Sequence, residues 1–457
     1  MRRLNPLISS PLPFQRYKLD EPEFTVLDIW GSKVLLDCNS LAALLLESDS
    51  EIQQIKALAP APDVLVTWMP NIVMSKAIGF SSLMFDLGGE CDLSCEYCRK
   101  GDYPLLEFDI ARIALDRYYN PGNTKEIHLV GANPMLYWDF IIQLHAHLIA
   151  KVKDIPMPRI CIWFPGTELR PKRLVWMSSL GFSFVVYIDG AEEHYNGAKS
   201  KSGQNAWSLV HNGLKLMRID DLPNRITLLS RTSLVKSSES SMALAHRAEA
   251  LNTLCDEGYA SKVIVDSLDI SEAPCSCGAA SSLLVTDVAG ILSDHYQELA
   301  KWFVRRVKEG RPAREATLER MILSLLFTGP LASGCNAGMD SLYIGSNGQL
   351  APCAKALASG ITFGRIQTGG MDESLRWPWM DSRVYCNDTC MRCPIRWLCH
   401  SSCRAVSDAS VYCQIRLLQA KAALYILCNT TMNELLHSVA SVREMHNARI
   451  STKEQSS

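Results

Sequence analysis

The pattern of apolar and polar positions divides the chain into a long alternating stretch and two flanking regions of different character. Between positions 83 and 269, short runs rich in β-branched and aromatic residues alternate with longer runs whose apolar residues recur at helical spacing. This alternation predicts parallel βα units rather than a sandwich of antiparallel strands. The predicted strands are 83–87, 126–130, 160–164, 184–188, 226–230 and 263–268.

The flanking regions have their own patterns. Apolar runs at 24–30 and 34–37 predict two strands joined by a turn at Gly31, and runs at 40–47 and 50–58 predict helices. The proline-rich stretch 59–63 predicts a linker. After position 298, helical spacing leads into a cysteine-rich end, where residues 341–344 predict a strand and 346–348 a hairpin turn.

Length and charge exclude several function classes. A chain of 457 residues fits two or three packed units, each with its own core. The formal net charge of -2, from 46 basic and 48 acidic residues mixed along the chain, does not indicate a nucleic-acid partner. The apolar runs are shorter than the roughly 20 residues of a membrane span, and no secretory signal is seen. We therefore expect a cytoplasmic protein with no membrane partner.

The chain has 17 cysteines, and nine of them lie between Cys335 and Cys428. Because the cytoplasm keeps thiols reduced, metal binding or redox chemistry explains these cysteines better than a disulfide framework does. Four cysteines lie in apolar surroundings and are predicted to be buried apolar residues: Cys38, Cys161, Cys255 and Cys428. The pair Cys275 and Cys277 fits no pattern that we can assign.

Three further cysteines form the run Cys91-x3-Cys95-x2-Cys98, directly after the first predicted βα strand. Three thiolates on one loop can hold three irons of a cubane cluster and leave the fourth iron open for a substrate or cofactor. A zinc knuckle is the alternative. Zinc needs a fourth ligand to complete its tetrahedron, and His128 is the first histidine after the loop.

This spacing, with Tyr97 just before the third cysteine, resembles that of the radical S-adenosylmethionine (SAM) enzymes. The resemblance implies that Cys91, Cys95 and Cys98 hold a 4Fe–4S cluster whose open iron binds SAM. It also implies catalysis by a 5'-deoxyadenosyl radical that abstracts hydrogen, with electrons from a donor such as flavodoxin or ferredoxin. The implied fold is a partial barrel of six βα units, with its chemistry at the carboxyl ends of the strands.

The same resemblance assigns residues after three of the predicted strands. Gly131-Ala132-Asn133-Pro134 stands where the family usually has Gly-Gly-Glu-Pro, so Asn133 would meet the SAM amino group without a charge. Asp189 is similar to the family's strand-end Asp-Gly and would lie near the SAM ribose or the substrate. Ser230 and Arg231 could meet the ribose hydroxyls or the carboxylate, Arg231 being the better carboxylate partner.

The cysteine-rich end resembles the SPASM domain, the auxiliary-cluster extension of radical SAM enzymes. Seven cysteines match in order: Cys335, Cys353, Cys390, Cys393, Cys399, Cys403 and Cys413. The resemblance implies one fully ligated cluster, held by Cys390, Cys393, Cys399 and Cys413. It implies a second held by Cys335, Cys353 and Cys403, whose fourth iron is open or closed by Cys386. Together with the first loop this makes three 4Fe–4S clusters. Zinc-ribbon ligation is the alternative for four of these thiols.

The predicted fold class is therefore α/β: a partial (β/α)6 TIM-like barrel with a small N-terminal α+β unit and a C-terminal iron–sulfur SPASM domain. The predicted units are 1–80, 81–297 (the barrel), 298–333 (a helical bridge), 334–415 (SPASM) and 416–457 (a C-terminal helix and tail). Residues 1–80 loosely resemble the winged-helix peptide-binding module of peptide-modifying radical SAM enzymes. Alternatively, they are an extension that only packs on the barrel.

The resemblance also bears on the reaction, because SPASM enzymes mostly modify peptides. Anaerobic sulfatase-maturating enzymes place an aspartate base directly after the second SPASM cysteine, and Ala354 stands there in this chain. We therefore expect a maturase of a ribosomally made precursor peptide with a leader, which abstracts a side-chain hydrogen and forms a cross-link, often to an aromatic residue. A thioether-forming maturase, and an iron–sulfur redox or peptide-carrier protein without SAM chemistry, are the alternatives. Trp163, Phe164 and Tyr187 would line the peptide cleft or belong to the core.

Overall fold

The structure is a computed structural model of the chain. It describes residues 2–4, 24–38, 41, 43–46, 48, 50–51, 79–94, 104–152, 155–188, 190, 192, 199–218, 222–231, 242–266, 285–328, 335, 337–381, 390, 392–399, 403–405 and 410–454. Its main feature is a sheet of ten strands, most of them parallel, with helices packed on one face.

The N-terminal residues form a separate antiparallel sheet. Its strands are β1 (Arg2–Arg3), β2 (Phe24–Ile29), β3 (Ser32–Asp37) and β4 (Ala43–Leu46), in the order β1-β4-β3-β2. The predicted hairpin around Gly31 is confirmed, since β2 pairs antiparallel with β3.

The predicted helix over 40–47 is wrong, because these residues contain β4. Leu44 pairs with Leu35 of β3, and Leu46 is buried beside Leu35. A short apolar run is compatible with either a helix or a strand. Here the run forms a strand because the edge of β3 supplies backbone hydrogen-bond partners. Of the second predicted helix, only residues 50–51 are described, and they are helical.

The predicted βα strands are confirmed, each within two residues of its predicted ends where described. The strands of this stretch are β5 (Ser82–Asp86), β6 (Leu93–Ser94), β7 (Glu126–Val130), β8 (Arg159–Phe164), β9 (Ser183–Tyr187), β10 (Lys199–Ser200), β11 (Ile226–Arg231) and β12 (Lys262–Asp266). All except β6 and β10 pair in parallel, in chain order, in one sheet.

Beyond β5, the sheet is extended by strands of the cysteine-rich region. There β13 (Ser341–Ile344) pairs in parallel with β5, and β14 (Gln349–Ala351), β15 (Gly364–Arg365) and β16 (Gly370–Met371) follow antiparallel. The predicted hairpin turn at 346–348 is confirmed, and Gly348 has the positive φ that it requires. Because β13 occupies the edge of β5, the six-stranded part does not close into a barrel.

Helices connect and cover these strands. They are α1 (Phe108–Tyr118), α2 (Trp138–Val152), α3 (Pro171–Ser179), α4 (Ala206–Met217), α5 (Ala243–Asp256), α6 (Val285–Lys308), α7 (Ala316–Leu323), α8 (Ala354–Ala358), α9 (Glu373–Asp381), α10 (Arg396–Cys399), α11 (Ser410–Asn429), α12 (Met432–Ser438) and α13 (Ala440–Glu454). The predicted C-terminal helix is thus three helices. None of the described helices has both the length and the apolar character needed to cross a bilayer.

The two faces of the large sheet differ, because successive side chains of a strand point to opposite sides. Leu83, Phe85, Ile127 and Leu129 are fully buried against the helices in the main core. We call the opposite side the inner face. Its side chains include Met84, Asp86, His128, Val130, Cys161, Trp163, Val185, Tyr187, Leu229, Ile264, Tyr343 and Ala351.

A buried carboxyl group joins β12 to α7. Glu315 is 1% exposed, and its carboxylate accepts hydrogen bonds from Val265 N–H at 3.2 Å and from Leu318 N–H at 2.7 Å. Burial raises the pKa of Glu315 to about 7, although the backbone donors oppose the shift. Since the folded pKa exceeds the unfolded value, the stability from this group is complete below the ordinary carboxyl pKa and is lost as pH rises through about 7.

We therefore expect Glu315→Gln to flatten the pH dependence of stability. Between pH 5 and 8 the free energy of unfolding of the wild type should fall by up to about 3 kcal/mol more than that of the variant. Denaturant unfolding at several pH values measures this difference. Glu444→Gln, at an exposed position of α13, should leave the slope unchanged. Equal slopes for Glu315→Gln and the wild type would contradict the prediction.

Candidate active site

Several predicted site residues lie outside the described part of the chain. They are Cys95, Tyr97, Cys98, Asp189 and Cys386, and the unassigned Cys275 and Cys277. The backbone of Arg231 ends β11, and its side chain is not described. The roles given to these residues stay predictions.

The turn that leads from β5 to Cys91 requires glycine. Gly88 and Gly89 have φ values of +61° and +71°, which side chains other than glycine rarely adopt. A Cβ on Gly88 would lie 2.3 Å from the Pro104 carbonyl oxygen, and one on Gly89 would lie 2.1 Å from Tyr137 Oη. The same Tyr137 oxygen accepts a hydrogen bond from the N–H of Glu90 at 2.5 Å. These contacts fix the path of the backbone into the cysteine loop, which begins at Cys91.

The first part of the cysteine loop is paired with a later segment. Strand β6 lies between Cys91 and Cys95 and pairs antiparallel with β10, which follows the fourth parallel strand in sequence. Lys201 N–H donates to the carbonyl of Asp92 at 2.8 Å. Cys91 Sγ accepts from Leu93 N–H at 3.4 Å.

Asn133 anchors this loop to the turn after β7. Its side chain is fully buried, and Nδ2 donates to Asp92 Oδ1 at 2.6 Å and to Thr167 Oγ1 at 3.1 Å. Its Oδ1 accepts from Met135 N–H at 3.2 Å. Both amide hydrogens are therefore committed within the protein. Asp92, which the sequence did not single out, brings a carboxylate to this position.

Replacing Asn133 by alanine should be strongly destabilising, because it removes the hydrogen bonds to the buried Thr167 hydroxyl and Met135 N–H and to the half-buried Asp92 carboxylate. We expect the free energy of unfolding to fall by about 2–3 kcal/mol. The exposed Asn205, which caps α4 through a bond to Ser208 N–H, is the matched control, and Asn205→Ala should cost about 1 kcal/mol or less. Denaturant unfolding of the two variants compares them, and equal losses would contradict this account of Asn133.

The turn after β7 also contacts the glycine turn. Ala132 N–H donates to the Gly88 carbonyl at 3.1 Å, and Gly131 has a φ of +147°. A Cβ at Gly131 would lie 3.1 Å from Gly88 O. By contrast, Ser230 is fully buried, with Oγ 3.5 Å from Arg247 Nη1. The Gly131 turn is thus hydrogen-bonded to the glycine turn that precedes the cysteine loop. The Ser230 hydroxyl, in contrast, lies in the protein interior.

The thiols of the cysteine-rich end lie in two groups. Cys353 caps α8, and its pKa is raised by burial and then by the neighbouring thiols of Cys335 and Cys403, while Ala356 N–H opposes the rise. Burial raises the pKa of Cys399 to about 12, with further contributions from three other thiols: Cys393, Cys413 and Cys390. The two groups have the same members as the sets that the SPASM resemblance implies. That they ligate iron stays a prediction.

Within the described residues, no group of three or more His, Cys, Asp or Glu side chains is placed to hold one metal ion. Positively charged side chains lie near both groups of thiols. Arg320 of α7 lies within electrostatic range of Cys335 and Cys399, and Arg416 of α11 within range of Cys399.

His128, considered above as a zinc ligand, is engaged within the sheet. Its Nε2 lies 3.1 Å from Glu126 Oε2, and Trp163 Nε1–H donates to its Nδ1 at 3.1 Å. His128 and Arg159 lower the pKa of Glu126 to about 2, against the effect of burial. Cys161 is buried as predicted, but it stands opposite His128 in the register of β7 and β8 rather than among apolar groups alone.

The aromatic residues considered for the cleft separate into two sets. Trp163 and Tyr187 are half-buried on the inner face, with ring centroids 6.3 Å apart. Phe164 is fully buried in the core on the helix side. The sequence could not separate them, because all three lie near strand ends and only the strand register assigns their faces.

The inner face also carries a pair that the sequence analysis missed. Tyr343 of β13 donates its hydroxyl to Asp86 Oδ2 at the end of β5, and Gly88 N–H donates to Asp86 Oδ1 at 2.9 Å. The available signal was a carboxylate that ends a buried strand, directly before the glycine turn to Cys91.

Comparison with solved structures relates this arrangement to known enzymes. The structure of anSMEcpe with bound AdoMet and Kp18Cys peptide matches with a TM-score of 0.58 at 17% identity, over 76% of this chain and 98% of that chain. The chain has the fold of anSMEcpe. That protein is a radical SAM enzyme. Its polyhistidine-tagged form with AdoMet matches with a TM-score of 0.57 at 16% identity, over 77% and 99% of the two chains.

A third solved structure is more distant. Streptococcus suis SuiB bound to its precursor peptide SuiA matches with a TM-score of 0.47 at 12% identity, over 84% of this chain and 96% of that chain. No model of a known protein family and no curated protein matches the chain. The comparisons therefore show that the chain shares its fold with anSMEcpe, and they leave its activity and substrate to be inferred.

Proposed function

We propose that the protein is a radical SAM enzyme that modifies a peptide. The observation that carries this proposal is the combination of the anSMEcpe fold with Cys91-x3-Cys95-x2-Cys98 directly after β5. The anSMEcpe structure contains both AdoMet and a peptide. Cys91 follows β5, the strand that borders β7 and β13, at the carboxyl edge of the parallel sheet, where such folds bind ligands, and Cys95 and Cys98 come four and seven positions later in the sequence.

The cofactors follow from the cysteines. We assign a 4Fe–4S cluster with one open iron to Cys91, Cys95 and Cys98, and two auxiliary clusters to the groups of Cys353 and Cys399. When bound, the first cluster and SAM supply a 5'-deoxyadenosyl radical. The chain's own residues hold the loop in place through β10, Tyr137 and Asn133.

The peptide would lie over the inner face. Half-buried Trp163, Tyr187 and Met84 offer apolar and aromatic surface there. Ala354 follows Cys353 and provides no base at the position where sulfatase-maturating enzymes have aspartate. We therefore favour a cross-link within a ribosomally made precursor peptide over oxidation of a single serine or cysteine. The proposed partners are that peptide with its leader, and a flavodoxin or ferredoxin in the cytoplasm.

Anaerobic co-expression with a short peptide encoded beside the gene tests this function. The expected product has lost two hydrogens per cross-link, and fragmentation by mass spectrometry distinguishes a carbon-to-aromatic bond from a thioether. Co-expression with Cys95→Ala is the negative control. A peptide of unchanged mass, from an enzyme that does cleave SAM, would contradict the cross-linking function and leave the SAM chemistry intact.

A further inference from the structure

Asp86 lies where three parts of the protein meet. It ends β5, it precedes the glycine turn to Cys91, and its Oδ1 would lie 3.4 Å from a Cβ on Gly131. On its other side is Tyr343, which is 3% exposed and belongs to the cysteine-rich region. Met84 of β5 pairs in register with Tyr343 of β13, so this contact follows from the pairing of the two strands.

Two donors orient the Asp86 carboxylate. Gly88 N–H binds Oδ1 at 2.9 Å, and the Tyr343 hydroxyl binds Oδ2. A carboxylate has about four lone-pair sites, so two donors leave capacity for another partner. Asp86 is half-buried, and its side chain shares the inner face with partly exposed Trp163. The carboxylate is thus held in place while part of it remains accessible.

Strand pairing brings Tyr343 near one thiol of the first group, because Tyr343 pairs with Ala351 of β14 and Cys353 follows two residues later. The pKa of Tyr343 is raised by burial, by the Asp86 carboxylate and, less strongly, by the Cys353 thiol and Tyr187. Tyr343 is therefore within electrostatic range of Cys353. Another carboxylate of the inner face, Glu126, lies at the amino end of β7 and is committed to His128 and Arg159.

The proposed reaction needs a base. Forming a bond between a side-chain carbon and an aromatic ring removes two hydrogens from the peptide. The first leaves as a hydrogen atom, taken by the carbon radical derived from SAM. After the new bond forms, the adduct loses one electron and one proton. The electron requires a one-electron acceptor, an iron–sulfur cluster, and the proton requires a group such as a carboxylate.

We propose that Asp86 accepts this proton and that Tyr343 is the positioning residue that holds its carboxylate towards the peptide. The proposal rests on the proposed cross-linking function. It assigns the second half of the reaction to the side of the inner face where β5 and β13 meet, close to the end of β14 that leads to Cys353.

The test compares two products of one reaction. Reconstituted enzyme, SAM, a reductant and the synthetic precursor peptide are mixed, and 5'-deoxyadenosine and cross-linked peptide are both counted. With Asp86→Asn, 5'-deoxyadenosine should form at the wild-type rate, while cross-link per 5'-deoxyadenosine falls by about 10²-fold or more. Tyr343→Phe should lower the same ratio less. Binding of fluorescent peptide to both apoproteins should stay within twofold of the wild type.

Asp340→Asn is the matched control, because Asp340 lies at the opposite end of the same strand pair and accepts from Ser81 Oγ at 2.8 Å. Its product ratio should equal that of the wild type. The proposal is overturned if Asp86→Asn keeps the wild-type ratio, or if it loses SAM cleavage or peptide binding in proportion to cross-linking. Circular dichroism checks that the variants fold. If Asp86→Asn misfolds, the product ratio of Tyr343→Phe tests the proposal instead, and a wild-type ratio in that variant overturns it. A wild type that forms no cross-link would instead overturn the proposed function.

Discussion

A Cys91→Ala variant is expected to produce no 5'-deoxyadenosine from SAM under reducing conditions. Three thiolates are the fewest that hold a cubane with one open iron, so losing one removes the site at which SAM binds. The variant should also contain about four irons fewer than the roughly twelve expected for three cubanes. Chromatography of the reaction mixture and iron analysis of the reconstituted protein measure the two effects.

The matched control is Cys428→Ala, a substitution of a buried cysteine in α11 outside both thiol groups. It should keep the wild-type iron content and SAM cleavage. If Cys91→Ala cleaved SAM as fast as this control, the assignment of the loop to the radical-generating cluster would be lost.

A Cys353→Ala variant is expected to separate the two halves of the reaction. Cys353 belongs to the group of three thiols, so its loss should remove one auxiliary cluster of about four irons and leave the cluster of Cys91 intact. The variant should still form 5'-deoxyadenosine. It should yield little or no cross-linked peptide, because the electron released after bond formation loses the acceptor that we place beside β13 and β14. Iron analysis and peptide mass spectrometry check the two outcomes.

Cys255→Ala, at a buried site in α5, controls for the general effect of removing a thiol. Its product should match that of the wild type. Cross-linked peptide from Cys353→Ala at the control level would show that the cluster of Cys353 is not needed as an electron acceptor, and a full iron content would show that Cys353 is not a ligand.

Local patterns were sufficient to predict much of the fold. The run at 126–130 coincides with β7, and the turn before Gly348 joins β13 and β14, because strand runs and glycine turns depend on neighbouring residues. The helix predicted over 40–47 was wrong for the opposite reason. Leu44 and Leu46 suit either structure, and their conformation depends on pairing with β3, which no local pattern contains.

In the candidate site, too, local sequence patterns could be recognised and long-range contacts could not. Cysteine spacing identified the loop that begins at Cys91, and the resemblance to the SPASM domain implied the membership of the two groups of thiols. Contacts between distant residues could not be predicted. Asp92 and Asn133 are 41 positions apart, and Asp86 and Tyr343 are 257 apart. Both pairs exist because parallel strands bring the ends of separate βα units together, and only the register shows which side chains meet.

Transfer of deuterium from the peptide tests the central claim most directly. The precursor peptide, prepared with deuterated side chains, is incubated with the reduced enzyme and unlabelled SAM, and the 5'-deoxyadenosine is analysed by mass spectrometry. If the enzyme generates a radical that attacks the peptide, the 5'-deoxyadenosine gains one deuterium for each cross-link formed. Unlabelled 5'-deoxyadenosine alongside a cross-linked peptide, or no SAM cleavage at all, would contradict a radical SAM enzyme acting on a peptide.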